Sequence, residues 1–135
     1  MMFLTRKFDF SAALRLRDPR KSDEENRELF GPDVALHGHN YHCEVTVKGN
    51  VDPDTGVVIH LTKLGEKLNR EVRSELDRKE LNTLPFFSDK NPTPENIAVF
   101  IWEKLSSSFN GMVLHRVRVE ESPESAAEYY GGGTA

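Results

Sequence analysis

The stretch Leu36-His37-Gly38-His39-Asn40-Tyr41-His42-Cys43-Glu44-Val45-Thr46-Val47-Lys48 decides how the chain is read. His37, His39, Tyr41, Cys43, Val45 and Val47 share one parity, and Gly38, Asn40, His42, Glu44, Thr46 and Lys48 the other. A period of two is that of a β-strand, whose successive side chains point to opposite faces of a sheet. The apolar parity is the buried one, and two histidines open it. At ~3.3 Å of rise per residue their Cα atoms stand about 6–7 Å apart, a workable separation for two imidazoles on one zinc ion. Two protein ligands hold zinc weakly, so a third must come from elsewhere in the chain.

Upstream, Phe8, Phe10, Ala12 and Leu14 alternate with Asp9, Ser11, Ala13 and Arg15, which predicts a first strand over Phe3 to Leu16 as the natural partner of the histidine strand. The excursion between them, Arg17 to Ala35, carries Arg17, Arg20 and Lys21, then Asp23, Glu24, Glu25 and Glu28, and two prolines. It has room for a helical turn over Asp23 to Leu29; long loops are often functional, but this charge pattern favours a solvated surface loop.

Downstream, Gly49 to Gly56 is dense in turn formers and Val57-Val58-Ile59 follows as a short strand, a simple hairpin. Leu61, Leu64, Leu68, Val72 and Leu76 recur at three and four residues, predicting an amphipathic helix from Thr62, its cap, to Leu76. Asp77-Arg78-Lys79 sits at its C-terminus, and Leu84-Pro85-Phe86-Phe87 is an irregular apolar link. A second helix opens at Thr93 as N-cap, with Pro94 at the first helical position and Glu95 in the first turn; Ile97, Phe100, Ile101 and Leu105 form its apolar stripe. Val113, His115, Val117, Val119 and Glu121 then share one face of a strand. A carboxylate at the end of an apolar face is expensive to bury without a partner, so Glu121 is a candidate ligand anchor; a strand that had already ended would leave it simply exposed. Ala126 to Tyr130 adds a last short strand.

The order β-β-α-α-β-β predicts an α+β fold, a four-stranded antiparallel sheet with two helices on one face. A chain of 135 residues suits a single domain, here residues 1–130, with a flexible tail over 131–135. The net charge of -4 speaks against nucleic acid or an anionic membrane as partner and for a small molecule. No apolar run approaches the ~18 residues of a membrane span, and Met1 to Lys7 lacks a secretory core, so a cytoplasmic protein is expected. Cys43 is the one cysteine, which excludes an intramolecular disulfide; on the apolar face it reads as a packed thiol.

Six stretches occur in the order seen in 6-pyruvoyl-tetrahydropterin synthases: Phe10 to Leu16, His37 to Tyr41, Asp52 to Gly56, Leu76 to Asn82, Pro92 to Asn96 and Val119 to Ser122. The chain resembles that family, and the related 6-carboxy-tetrahydropterin synthases of the queuosine pathway, from Phe8 to Tyr130. The resemblance implies a tunnelling fold that assembles into trimers and commonly hexamers, with active sites at subunit interfaces. It implies a zinc-dependent carbon-oxygen lyase acting on dihydroneopterin triphosphate, as in tetrahydrobiopterin biosynthesis. The family's three zinc-binding histidines correspond to Leu14, His37 and His39, so two ligands remain and zinc is expected to be weak or absent. Asp33 falls where the family's proton-transfer cysteine lies, and Asp77-Arg78 where its Asp-His pair lies. An arginine exchanges no proton near neutral pH. Asp33 could still act as a base, or form an ion pair with Arg78. Glu121 matches the glutamate that anchors the pterin ring, and Thr93 and Glu95 match positions near the ring. The resemblance therefore implies a pterin-binding relative with lost or altered catalysis. The alternative is an active lyase that converts dihydroneopterin triphosphate to a 6-substituted tetrahydropterin with Asp33 as base.

Overall fold

The computed structural model describes residues 1–58, 61–106 and 113–132, with Leu61 described by its backbone alone. Four strands, β1 (Met2–Leu14), β2 (His37–Gly49), β3 (Val113–Ser122) and β4 (Ser125–Tyr129), form one antiparallel sheet in the order β1-β2-β3-β4. The alternation read in the two long strands sets their register: Phe10 pairs with Tyr41, Ala12 with His39 and Leu14 with His37. Phe10, Ala12, Leu14, Tyr41, Cys43, Val45, Val47, Val117 and Val119 are buried on one face. Burial also pushes the Cys43 thiol pKa well up, leaving it a packed, unreactive group.

That face is covered by a helical run, α2 (Leu61–Lys67), a π turn (Leu68–Arg73) and α3 (Ser74–Leu76), and by α4 (Pro94–Leu105). Leu64, Leu68, Val72 and Leu76 are all buried although each lies four residues from the next. In a regular α-helix such steps drift by about 40° each, and the wider π turn swings the row back toward the sheet. The helix already includes Leu61, so Thr62 lies inside the first turn and does not cap it, a correction to the sequence reading. Thr93 does cap α4, accepting the Asn96 N–H at 3.3 Å, and Ile97, Phe100, Ile101 and Leu105 are buried as their spacing predicts. Trp102, at the edge of that stripe, meets Tyr129 edge-on at 5.4 Å, and a Cβ at Gly131 would overlap its indole.

Three other expectations change. Val57 and Val58 form no strand; the Asp52 N–H instead bonds the Val57 carbonyl at 2.9 Å, and Ile59 lies outside the described residues, as do residues 133–135 of the expected tail. The polar excursion is more than a solvated loop. It contains α1 (Asp23–Phe30), begun by a reciprocal Ser22–Glu25 capping box, and a 3-10 turn over Gly31–Val34. Buried Asn26 knits it together, accepting the Asp18 N–H and donating to the carbonyls of Asp18, Lys21 and Ser22. In β3 the pairs Thr46–Arg116 and Val47–Leu114 leave His115 as an extra residue, so Leu114 faces the core and Val113 is 55% exposed, the reverse of a strict alternation.

The sheet's other face is polar. Arg116 lies between Glu44 (2.6 Å) and Glu128 (3.1 Å), and Arg118 between Glu120 (3.4 Å) and Glu128 (3.7 Å). Among the described residues no helix is long and apolar enough to cross a membrane.

Candidate functional site

The histidines open β2 on the core side at the end of the sheet where its apolar packing runs out. Their rings stand edge to face at 5.1 Å, each about a quarter exposed. His37 Nδ1–H donates to the Ala35 carbonyl at 2.8 Å, which leaves Nε2 facing the Asp33 carboxylate at 3.7 Å. The 3-10 turn carries Asp33 there, and its own carbonyl accepts the Leu16 N–H at 2.9 Å, tying the excursion to the end of β1.

Glu121 reaches the same place by a second irregularity. Glu120 pairs with Ala126 and Ser122 with Ser125, so Glu121 is an unpaired extra residue, and such a bulge re-aims a side chain. Its carboxylate lies 3.5 Å from His39 Nε2 and is 27% exposed. Beside it the Tyr41 ring lies 5.7 Å from His39; its hydroxyl is buried and has no hydrogen-bond partner among the described residues. Burial, and then the negative charge of Glu121, push the tyrosine pKa up, so Tyr41 stays a neutral donor. A half-buried carboxylate next to a neutral hydroxyl and two imidazoles suits a planar ligand edge rich in N–H donors.

The three-imidazole zinc site that the resemblance implies does not fit these residues. Leu14 stands opposite His37 in the register and is 1% exposed, so an aliphatic side chain fills the third position. The remaining donors fall into two separate histidine-carboxylate pairs, and among the described residues no three His, Cys, Asp or Glu side chains converge as a metal cluster.

Asp77 and Arg78 lie elsewhere in the chain. The Arg78 N–H donates to the Ser11 carbonyl at 2.6 Å, the Ala13 N–H donates to the Lys79 carbonyl at 2.9 Å, and Ala13 and Glu80 form a parallel bridge. Residues 77–80 thus line the edge of β1 that β2 does not occupy, and β1 separates them from the histidines by about two strand spacings, ~9–10 Å. Asp77 is held by the Ser11 N–H at 3.0 Å and by Arg73 at 3.2 Å. The ion pair of Arg78 with Asp33 does not form within one chain; Asp33 faces His37 instead. Thr93 caps α4 with its oxygen, keeping its hydroxyl proton for another acceptor, and Glu95 is exposed in the first turn. Sequence reasoning missed the pair of Asp9 with His42, 2.8 Å apart on the polar face. Their facing positions in the β1–β2 register were the signal.

The family model described as 6-pyruvoyl tetrahydropterin synthase matches residues 3–132. The chain is 39% identical to the 6-pyruvoyl tetrahydrobiopterin synthase of Poecilia reticulata over 96% of its own length and 90% of the relative's. It is 40% identical to that of Homo sapiens over 95% and 90%. The solved structure of the Caenorhabditis elegans 6-pyruvoyl tetrahydropterin synthase superposes with a TM-score of 0.90 at 38% identity, covering 97% of this chain and 96% of that one.

Proposed function

Because the chain belongs to the 6-pyruvoyl tetrahydropterin synthase family, we propose that it binds a pterin such as dihydroneopterin triphosphate through Glu121, with the family's chemistry lost or altered. The observation that carries this reading is the bulge at Glu121, which sets a half-buried carboxylate beside His39 and the Tyr41 hydroxyl. The 2-amino and N3–H groups of a pterin offer two parallel donors, the pairing a carboxylate accepts best. Thr93 and Glu95 stand as further contacts to the ring.

Altered chemistry follows from three positions. Leu14 fills the place of a metal ligand, so zinc is held weakly or not at all by His37 and His39. Arg78, next to the retained Asp77, moves no proton near neutral pH. Asp33 is the one group of the three that can accept a proton at the histidine end. The protein functions as a homo-oligomer, trimer or hexamer, in the cytoplasm, and needs neither nucleic acid nor membrane.

Titration of the purified protein with neopterin or sepiapterin, followed by calorimetry, tests the reading. Binding in the unaltered protein and its loss in Glu121→Ala are expected, since the ring's donors would otherwise leave water without an acceptor. Undiminished binding by Glu121→Ala overturns the anchor. The second reading, an active lyase, rests on the 3.7 Å approach of Asp33 to His37. Turnover of dihydroneopterin triphosphate that disappears in Asp33→Ala would establish it in place of the first.

A further inference from the structure

The Tyr41 hydroxyl is the one buried side-chain nitrogen or oxygen among the described residues that has no hydrogen-bond partner. Its ring is held on two sides. Phe10, opposite it in the β1–β2 register, stacks on it at 4.6 Å and 13°. His39, two residues back on the same face, meets it edge-on at 5.7 Å. The residue is sealed from solvent, so the clamped ring cannot turn its hydroxyl to water. A phenylalanine would fill this place with no unmet hydrogen bond, whereas an orphaned hydroxyl forfeits its bonds to water for nothing unless a partner arrives. Burial, and then the charge of Glu121, keep its proton in place, and no other charged group acts on it as strongly as that carboxylate.

We propose that Tyr41 is a specificity-determining residue of the Glu121 site, its hydroxyl donating to the 4-oxo oxygen of a bound pterin. This rests on the pterin reading above and deepens it. With the 2-amino and N3–H groups of the ring on the Glu121 carboxylate, the next atom along the same edge is the 4-oxo oxygen. That acceptor then lies against a carboxylate oxygen and is repelled by it unless a neutral donor stands beside them. Tyr41 offers such a donor, with a proton committed to nothing else. In the free protein Glu121 leans on His39 at 3.5 Å, and a ring edge that takes the carboxylate replaces this contact and opens the way to the hydroxyl.

The test uses the full chain and two compounds, 6-hydroxymethylpterin and 2,4-diamino-6-hydroxymethylpteridine, in which an amino group replaces the 4-oxo oxygen. In calorimetry, Tyr41→Phe should bind the pterin at least fivefold more weakly and the diamino compound unchanged. The N3–H that the diamino compound lacks affects both proteins alike and cancels. In urea unfolding without ligand the midpoint of Tyr41→Phe should stay level or rise, since the substitution removes an unpartnered group. An equal loss for both compounds, or a lowered midpoint, overturns the assignment; a lowered midpoint would mean that the hydroxyl already holds a partner in the free protein, such as a buried water. Undiminished pterin binding by Tyr41→Phe overturns the assignment alone and leaves Glu121 as the anchor, whereas no pterin binding by the unaltered protein overturns the pterin reading and the assignment together.

Discussion

Leu14 and Arg78 each stand at a position where one side chain changes what the chain can do. Leu14 is buried opposite His37, so Leu14→His would add a third imidazole to the pair already facing it. Zinc affinity should rise by orders of magnitude in a chelator competition assay, while the metal-free variant loses about 2–3 kcal/mol by placing a polar ring in an aliphatic hole. No gain in zinc affinity would mean that the surrounding residues have closed around leucine. Arg78 occupies the left-handed region, where an L-residue is strained by about 1 kcal/mol. Arg78→Gly should therefore raise the midpoint of urea unfolding slightly, since glycine adopts this conformation without strain, and a lowered midpoint would count against strain at this position. The contact of Leu14 with the histidine strand was legible in the sequence, because parity and antiparallel pairing fix it. The approach of Asp33 to His37 was not, since it depends on how the residue 17–35 excursion folds around Asn26.

Among the elements, α4 was the most legible, because Thr93, Pro94 and Glu95 act through local backbone geometry that no distant contact alters. Thr93→Ala should cost about 1 kcal/mol in chemical denaturation by leaving the Asn96 N–H unbonded. Strand β3 was misread at its start because the extra residue at His115 exists only relative to β2, and alternation within one strand does not reveal it. The segment at α1 makes a pH prediction. Hydrogen bonds from Arg20, Arg17 and Ser22 lower the pKa values of Asp18, Asp23 and Glu25 respectively. A carboxylate whose folded pKa is depressed contributes stability above its unfolded pKa, near 4, and that contribution is lost as pH falls through the lower folded value. Asp23 and Glu25 are solvent-exposed, Asp18 is mostly covered, and all three partners lie within residues 17–25, so the effect is confined to this segment. NMR shifts of the Ser22 to Asn26 amides should move toward unfolded values below about pH 4, before those of the core strands. Simultaneous movement of both would count against a local origin.

At the scale of the whole molecule, the sheet is open at both sides among the described residues. Residues 77–80 cover β1 only around Ser11 and Ala13, and its N-terminal half presents Met2 and Phe3, about half exposed; Val113 and Tyr130 are similarly exposed. Long uncovered edges beside apolar side chains favour pairing with further copies of the chain. Light scattering at micromolar concentration should give a trimer or hexamer, and Phe3→Asp should shift it toward smaller species. A monomeric unaltered protein would remove the assembly from the proposed function. Fold class and the pairing of the first two strands were legible because each strand and helix carries its own period, whereas the pairing of β2 with β3, in place of a hairpin to Val57–Ile59, was not. The division of the polar groups between two sides of β1 was not, because it is set by the path of residues 77–80 after the helical run.

Trp102 is the chain's one tryptophan, wedged between Tyr129 and the backbone of Gly131. Its intrinsic fluorescence is therefore a built-in optical reporter of a single seam, the one where β4 lies against α4. A red shift of that emission ahead of the loss of far-ultraviolet ellipticity would record β4 peeling away while the rest of the sheet stands, without any label being attached.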